Sequence, residues 1–165
     1  MKDLCLFNSQ RLTVSALKQT LNHVELNQLI AILSPEVTRY LPPSFHGITT
    51  PVDAKVWLNE QAHTSQVYGI YHNAELTLIG LLIIYEDNGH AHIGYLFNAQ
   101  YWGKGYASEL LKALIHYGKA KTQWRVIHGG VSIDNPASAH VLSKMGFTKT
   151  PSNTSDMLQF KLALK

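Results

Sequence analysis

The sequence predicts an α/β domain with a mixed sheet, and the order of its elements carries that prediction. Helical patterns come first, a group of strand patterns joined by tight turns follows, and strand and helix patterns then alternate to the end of the chain. This order differs from the regular alternation of a doubly wound sheet. The 165 residues suit one domain spanning 1–165, because no linker, repeat or low-complexity segment divides the sequence.

Two early helices are predicted from apolar spacing and capping residues. The first has the i, i+3, i+4, i+7 spacing of an amphipathic helix and should end near Ser34-Pro35. Its apolar positions are Leu26, Leu29, Ile30 and Leu33. The second begins at Thr50-Pro51, where a capping threonine precedes a first-turn proline, and it continues through Trp57.

The middle of the chain is rich in strand patterns. Val67–Tyr71 and Leu76–Tyr85 are aliphatic and aromatic runs separated by a hairpin turn at 72–75. Glu86–Gly89 predicts a second tight turn, and His90–Phe97 predicts the strand that follows it. These segments should form a β-meander.

The last third of the chain alternates between strand and helix. Apolar residues at helical spacing predict a long helix from Ala107 to Gly118. A strand is predicted at Trp124–Ser132, and a short helix at Asn135–Met145 ends at the glycine that follows it. Large apolar residues at 158, 160, 162 and 164 alternate with Gln159, Lys161 and Ala163, which predicts a half-buried terminal strand.

The composition excludes several classes of protein. Lys and Arg number 14 against 11 Asp and Glu, so the net charge is +3 with neutral histidines, and nine histidines make that charge depend on pH. Charged residues form 15% of the chain, against about 25% in an average globular domain. The charge is too small and too dispersed for a disordered chain or a nucleic-acid-binding protein, and it hints only at an anionic ligand.

Cysteine content and hydropathy bear on location. Cys5 is the one cysteine of the sequence, which excludes an internal disulfide and a cysteine-based zinc cluster. The longest apolar run, Leu76–Tyr85, spans ten residues, whereas a bilayer requires about 20. Residues 1–10 lack the apolar region of a secretory signal. We therefore expect a cytoplasmic protein with no membrane partner.

A glycine-rich turn lies between the strand that ends at Phe97 and the long helix. Gly103 and Gly105 allow the backbone to approach a ligand closely, and the helix offers free N–H groups and a positive dipole end. Such a turn can hold a pyrophosphate, or it can be a plain connection, and the pattern alone leaves both interpretations open. It is neither a Walker A loop nor a dinucleotide fingerprint, since Ser108 occupies the third glycine position of the latter.

Several motifs together resemble one family. Gln100, Gly103 and Gly105 match the Q/R-x-x-G-x-G/A acyl-CoA motif of the GNAT superfamily of N-acetyltransferases. Further on, Asn135–Phe147 resembles that family's N-x-x-S-x-x-V-L-x-K-x-G-F helix. Three upstream segments resemble its RimJ/RimL-like subgroup, the ribosomal-protein N-terminal acetyltransferases and their relatives: Gln10–Leu12, Ser34–Leu41 and Ile93–Tyr95. The resemblance covers nearly the whole chain in order.

The resemblance implies a fold and a cosubstrate. The fold is a central, mostly antiparallel seven-stranded sheet, splayed between strands 4 and 5 and flanked by about four helices. The cosubstrate is acetyl-CoA, and no metal is expected. By this likeness, backbone N–H groups of 103–108 bind the pyrophosphate, 96–98 pair with the pantetheine amides, and Asn135 bonds the pantetheine from the facing junction. The residues so assigned are Leu96, Phe97, Asn98, Gln100, Gly103, Lys104, Gly105, Tyr106, Ala107, Ser108 and Asn135.

His92 is the candidate catalytic base. Acetyl transfer to an amine requires removal of a proton from the amine. The subgroup's strand usually reads A-E-I-G-Y, and here 91–95 reads A-H-I-G-Y, so a histidine replaces a glutamate that commonly faces the acceptor. Imidazole can accept a proton directly or through water, but a strand histidine satisfied by a neighbour fits equally well. His90 shares the face of His92, yet no third ligand suggests a metal.

Ser138 is the candidate donor to the leaving thiolate. The tyrosine that serves this role in much of the family would fall at Leu142 and is absent. Ser138 lies on the inward stripe of its helix, whereas His140 and Lys144 point outward. A small residue chosen for close packing is an equally good interpretation, and solvent can also supply the proton. Tyr95 is among the aromatic residues that could line the acceptor cleft or belong to the core.

The sequence therefore predicts an acetyl-CoA-dependent N-acetyltransferase that acts by direct attack in a ternary complex. Cys5 is remote in sequence from both motifs, so nothing supports a covalent acetyl-cysteine. The expected acceptor is a primary amine, either a protein N-terminus, ribosomal proteins included, or a small molecule. No nucleic-acid partner is expected, and the protein should be a monomer or a homodimer. The alternatives are a non-catalytic acyl-CoA-binding or regulatory domain on the same fold, which the changes at His92 and Leu142 keep open, and a nucleotide-phosphate-binding protein.

Overall fold

A computed structural model describes residues 5–17 and 20–164. The strands are β1 Cys5–Asn8, β2 Leu12–Ala16, β3 Gln66–His72, β4 Thr77–Asp87, β5 His90–Phe97, β6 Val126–Ser132, β7 Thr148–Thr150 and β8 Met157–Ala163. The helices are α1 His23–Ile32, α2 Pro35–Thr38, α3 Pro51–Ala62, α4 Tyr106–Lys121 and α5 Pro136–Lys144. Residues 1–4, on which part of the expectation about a secretory signal depends, lie outside the described residues.

The strands form one mixed sheet in the order β1-β2-β3-β4-β5-β6-β8-β7. Every neighbouring pair is antiparallel except β5 and β6, which run parallel. The expected mixed α/β fold is confirmed, with a corrected count of eight strands, so the parallel pair is the fifth and sixth strands. The count rises because the short edge strand β1 pairs with β2.

Helices cover both faces of the sheet. On one face, α4 and α5 pack over a core that includes Ile93, Leu110, Leu114, Ile127 and Leu142. On the other face, α1 and α3 pack over a second core that includes Leu29, Trp57, Leu78, Leu81 and Leu96. Five α-helices are present among the described residues, where about four were expected, because α2 adds one short turn after Pro35. No helix in those residues is long and apolar enough to cross a membrane.

Local hydrogen bonds and backbone conformations explain where α3 begins and where the chain turns between β4 and β5. The Thr50 side chain accepts a hydrogen bond from the Asp53 backbone N–H, and the Asp53 carboxylate accepts one from the Thr50 N–H, which forms a capping box at the start of α3. The β4–β5 hairpin turns through Asn88 and Gly89, both with positive φ (49° and 82°), as a tight two-residue hairpin turn requires. These two signals fix α3 and the hairpin that carries β5.

Close packing of β4 against β5 depends on Gly80. A Cβ added there would lie 2.6 Å from the Leu96 carbonyl oxygen and 2.9 Å from the Phe97 ring. We expect Gly80→Ala to lower the free energy of unfolding by roughly 1–3 kcal/mol, because overpacking forces a backbone shift. Thermal unfolding followed by circular dichroism measures this. Gly94→Ala on β5 is the matched control, since an added Cβ there meets nothing within 4 Å; equal melting temperatures for the two variants would contradict the close approach.

Candidate active site

The parallel strands β5 and β6 separate part of the way along their length. They pair from His90 opposite Val126 to Ile93 opposite Gly129. Beyond that point β5 continues to Phe97 along β4, and β6 continues along β8. Within the described residues, the inner edges of 94–97 and 130–132 have no strand partner. The backbone N–H and C=O groups of these edges can therefore pair with an extended ligand that lies between them.

The glycine-rich turn leads into α4. Gly103 (φ 73°) and Gly105 (φ 83°) have left-handed backbone conformations, and Gly105 is the N-cap of α4. No side chain caps the helix, so its first N–H groups, from 105 to 108, lack intrahelical partners. A Cβ added at Gly103 would meet nothing within 4 Å. The turn offers open space, backbone donors and the positive end of a 16-residue helix, which fits an anionic group such as a pyrophosphate.

Arg11 and Tyr106 hold this turn in place. The Tyr106 side chain is buried, and its hydroxyl lies 2.9 Å from His72 Nε2. The Arg11 guanidinium stacks 4.1 Å above the Tyr106 ring, donates to the Lys104 carbonyl at 3.0 Å and pairs with Glu109 at 2.6 Å. Sequence reasoning noted Arg11 only as part of a subgroup motif, because its partners are more than 90 residues away.

The predicted residues at the end of β5 connect the strand to the turn. Leu96 and Phe97 are buried, and the Asn98 side chain accepts a hydrogen bond from the Gln100 backbone N–H at 3.0 Å. That bond caps a 3-10 turn over Ala99–Tyr101. The Trp102 indole donates to the Phe97 carbonyl at 3.0 Å. The exposed Gln100 and Lys104 therefore project from a segment whose backbone is fixed at both ends.

Asn135 and Ser138 lie at the facing junction, directly after β6. The Asn135 side-chain oxygen accepts a hydrogen bond from the Ser138 backbone N–H at 3.3 Å and caps α5. Its carbonyl-type oxygen is thus committed to the helix, and its amide N–H₂ is the group left for a ligand. His140 and Lys144 are exposed, as the helical spacing predicted.

Tyr95 lies on the α4 and α5 side of the sheet, packed against that core. It is an odd number of residues from His92, so the two side chains point to opposite faces of the sheet, and Tyr95 does not lie beside His92. Burial raises the pKa of the Tyr95 hydroxyl, and the nearby Ser138 hydroxyl acts in the opposite direction. The Tyr95 oxygen is enclosed and has no partner at full hydrogen-bonding geometry in the described part of the chain.

His92 lies on the face that α1 and α3 partly cover. It is exposed, and Tyr85 and His128 are its neighbours across β4 and β6. Its ring stacks on the His128 ring, with centroids 4.6 Å apart and planes 12° apart. The residue beyond it on the same face is Gly94, whose surroundings are open. An amine approaching over Gly94 therefore reaches the His92 imidazole and the end of the paired region together.

Sequence reasoning paired His92 with His90 and missed His128. The His128 ring also meets the His90 ring edge to edge, with centroids 5.0 Å apart and planes 21° apart, and His128 Nε2 lies 2.8 Å from His90 Nδ1. Burial, followed by the charges of His92, His90 and Lys161, lowers the pKa of His128. The rings lie parallel instead of converging, and no group of three residues suited to a metal ion occurs among the residues described.

Other features of the surface lie apart from this arrangement. A groove of about 880 Å³ runs between β1 and α4 and includes Ser108 but neither His92 nor Asn135. Cys5 is exposed on β1, four strands away from β5 in the sheet.

A sheet that splays at one parallel pair, with a glycine turn and a helix N-terminus beside it, defines the class of acyl-CoA-dependent transferases. Residues 11–148 match the family model described as Acetyltransferase (GNAT) domain. The chain belongs to this family. It is an acetyl-CoA-dependent acetyltransferase, with acetyl-CoA as its cosubstrate.

Individual proteins support the same assignment. The chain is 30% identical over 121 residues to p20 of Bacillus licheniformis, an uncharacterized N-acetyltransferase, covering 70% of this chain and 68% of that protein. The spermidine N-acetyltransferase of Vibrio cholerae, in complex with CoA and spermine, has a TM-score of 0.76 and 18% identity, covering 94% of this chain and 97% of that one. RimL, a ribosomal L7/L12 alpha-N-protein acetyltransferase in complex with coenzyme A, has a TM-score of 0.78 and 18% identity, covering 96% and 97%. These similarities confirm the fold.

The contact between Arg11 and Glu109 predicts a pH-dependent stability. Burial favours a higher pKa for Glu109, but hydrogen bonds from the Ser9 hydroxyl, the Arg11 backbone and the Arg11 side chain outweigh it, so its pKa is lowered. A lowered carboxyl pKa stabilises the fold above the unfolded value near 4.5, and that contribution is lost as pH falls through the folded value. We expect Glu109→Gln to cost about 1 kcal/mol at pH 7, because the pair is partly exposed.

Chemical denaturation at pH 7 and at pH 3 measures this difference. The destabilisation caused by Glu109→Gln should shrink at pH 3, because this pH lies below the unfolded value of 4.5 and the stability that the ionised carboxyl contributes falls with pH there. Glu60→Gln, at an exposed position on α3, is the matched control and should leave stability unchanged at both pH values. A pH-independent cost at Glu109 would contradict the ionised pair.

Proposed function

We propose that this protein is an N-acetyltransferase that moves the acetyl group of acetyl-CoA to a primary amine by direct attack in a ternary complex. The separation of β5 from β6, with the α4 turn on one side and His92 on the other, is the observation that carries the proposal. This arrangement lets the cosubstrate and the acceptor reach the opening between β5 and β6 by separate routes. Nothing in the fold or the comparisons favours the non-catalytic alternative.

The proposal assigns the coenzyme to the two diverging strands. The N–H groups of 103–108 hold its pyrophosphate, and Lys104 adds a cation beside them. The free edge at 96–98 pairs with its pantetheine amides, and the Asn135 amide N–H₂ donates from the other side. Most of these contacts come from the backbone, which explains how a chain with only 14 Lys and Arg residues can bind a phosphorylated cosubstrate.

His92 is proposed as the base. The acceptor arrives as an ammonium ion, and His92 takes one proton so that the nitrogen lone pair can attack the thioester carbonyl. The C–N bond forms, the C–S bond breaks, and the thiolate leaves. A proton then passes from the product nitrogen to the thiolate or to solvent, and His92 returns its own proton to solvent.

Ser138 is proposed as a hydrogen-bond donor to the departing thiolate. It lies on the first turn of α5, directly after the end of β6, and beside the enclosed Tyr95 hydroxyl. A hydroxyl at this position can stabilise negative charge on sulfur, and solvent can complete the protonation. The Tyr95 hydroxyl is positioned to orient Ser138.

The acceptor is proposed as either a protein N-terminus or a small amine. The named structural neighbours include an enzyme of each kind, a RimL protein acetyltransferase and a spermidine acetyltransferase. The similarity to RimL also supports placing the chain in the RimJ/RimL-like subgroup. A single exposed cysteine fits a reducing, cytoplasmic compartment. Thiol release from acetyl-CoA, measured with spermidine, free amino acids and short peptides with free N-termini, tests the acceptor class; no turnover with any amine, despite coenzyme binding, would contradict the proposal.

Replacement of His92 tests the base. We expect His92→Gln to lower kcat by roughly 10²-fold or more, since general-base catalysis contributes at least this factor, and to leave acetyl-CoA affinity unchanged. The acid limb of the pH–rate profile should also disappear. Steady-state kinetics over pH 5–9 and calorimetric titration with acetyl-CoA measure both effects. His116→Gln, exposed on α4, is the control; an unchanged pH–rate profile in His92→Gln would remove His92 from the mechanism.

Replacement of Gly103 tests the coenzyme turn. We expect Gly103→Val to weaken acetyl-CoA binding by at least about tenfold, because a branched side chain would project into the open space that the pyrophosphate needs. Gly47→Val is the matched control, since Gly47 has a similar φ of 75° and equally open surroundings but lies in the loop before α3. Both variants should lose similar stability, and calorimetry should show reduced affinity only for Gly103→Val. Equal affinities would contradict the assignment.

A further inference from the structure

Three histidines form a continuous row on the acceptor face of the sheet. His90 and His92 are two residues apart on β5, and His128 lies opposite His92 on β6. The row extends across the sheet to Tyr85 on β4, whose ring lies 5.8 Å from His92, and to Lys161 on β8, opposite His128. Three of the nine histidines in the sequence therefore meet at one place.

Each contact within the row orients the next ring, from His90 to His128 and from His128 to His92. His90 Nδ1 and His128 Nε2 are 2.8 Å apart, so one ring donates its N–H to the other and fixes the plane of the His128 ring. His128 then stacks on His92 with planes only 12° apart. Tyr85 limits the His92 ring from the other side. The exposed His92 side chain therefore has the His128 ring stacked on it and the Tyr85 ring beside it, and these two rings restrict its rotation.

The same contacts limit the charge of the row. Only one hydrogen can lie between His90 Nδ1 and His128 Nε2, so protonation of both atoms breaks their bond. Burial and the neighbouring positive groups lower the pKa of His128, which keeps its ring neutral at neutral pH. The other titratable groups that face the row from adjacent strands are Tyr85, Asp87 and Lys161. A neutral ring beneath His92 leaves His92 able to accept a proton without repulsion at 4.6 Å.

We propose that His128, itself oriented by His90, is a positioning residue that holds the His92 ring in place and keeps the site beneath it uncharged. This inference rests on the proposed role of His92 as the base. With this role for His128, the rate of acetyl transfer depends on the protonation of His128 as well as on that of His92. When His128 takes up a proton, its ring becomes a cation stacked 4.6 Å from the His92 ring, and His92 must then accept the proton of the amine against that charge. Because the folded state binds this proton less readily than the unfolded chain does, the row is destabilised as pH falls below 6.5.

A double-mutant cycle tests whether His128 acts through His92. The variants are His128→Ala, His92→Gln and the combination, assayed with acetyl-CoA and whichever panel amine reacts fastest. We expect His128→Ala to lower kcat by about tenfold in the wild-type background, because a displaced base loses alignment with the amine. It should leave KM for acetyl-CoA unchanged. In the His92→Gln background it should have no further effect, since residues that act as a unit are not additive.

A conservative variant separates positioning from charge. His128→Phe keeps a flat ring on His92 but cannot titrate, so it should restore much of the kcat that His128→Ala loses and should retain activity to lower pH than the wild type. His116→Ala, on the exposed surface of α4, controls for loss of any histidine. Thermal unfolding of each variant is measured to check that the variant is folded at the assay temperature.

The outcomes distinguish the inference from the proposed function. If His92→Gln is as active as the wild type with the same pH profile, the proposed base is wrong and the role of His128 falls with it. If His92→Gln is impaired but His128→Ala loses the same factor in both backgrounds, His92 stands and the inference is overturned. If His128→Phe is no better than His128→Ala, stacking does not position His92, and the inference is again overturned.

Histidine ring NMR on the wild-type protein gives a readout that needs no acceptor and no variant kinetics. We expect the His128 ring to take up its proton below pH 6.5 and the His92 ring resonances to move in the same step, because the rings are in contact. Replacing His90 by Gln should shift that step. Independent titration of His92 and His128, or a His128 step unaffected by His90→Gln, would overturn the proposal.

Discussion

The early end of pairing between β5 and β6 is the constraint on which the rest of this site depends. Each strand is held along its outer side, β5 by β4 up to Phe97 and β6 by β8 up to Ser132. Their inner sides pair only as far as Ile93 and Gly129. Unpaired backbone groups inside a sheet are costly unless water or a ligand satisfies them. The fold therefore holds open a row of donors and acceptors at fixed spacing, and an amide-bearing arm such as pantetheine has the length and the chemistry to replace the missing strand.

Because the sheet is one residue thick, this opening connects two faces that are otherwise separated. The face covered by α4 and α5 carries the groups suited to anions and to sulfur: the uncapped helix end after Gly105, and the hydroxyls of Ser138 and Tyr95. The other face carries the imidazole row around His92 and the open space over Gly94. Alternation along β5 makes this division automatic, since odd and even positions point to opposite faces. In the proposed mechanism, a thioester bound in this opening is attacked by an amine from the His92 face, and the thiolate is stabilised from the Ser138 face.

Much of the fold could be predicted because its signals are local. The capping threonine Thr50 and the turn predicted at 86–89 each act within four residues, and both are present, although the turn itself is Asn88-Gly89 because β4 extends to Asp87. The strands β1, β2 and β7 were not predicted, because each is only three to five residues long; the alternation in Leu12–Ala16 is the one available signal. His128 was missed for a different reason. Its contact with His92 depends on the parallel register of β5 and β6, which brings together residues 36 positions apart. The spacing of residues along the sequence does not indicate such a contact. The orientation of Tyr95, by contrast, follows from strand parity and could have been predicted.

The row of histidines gives a physical reason why an imidazole, and not a carboxylate, suits position 92. A glutamate there would be a negative charge beside His128 and near Lys161, and opposite charge favours the protonated form of histidine. His128 would then carry a positive charge, which would disturb its bond to His90. The carboxylate would form an ion pair and would not be available to an amine. With histidine at 92, no fixed negative charge lies beside His128, whose lowered pKa favours the neutral ring, and the proton taken from the acceptor adds one charge to the row. The substitution at 92 and the presence of His128 are therefore one feature, and each is explained by the other.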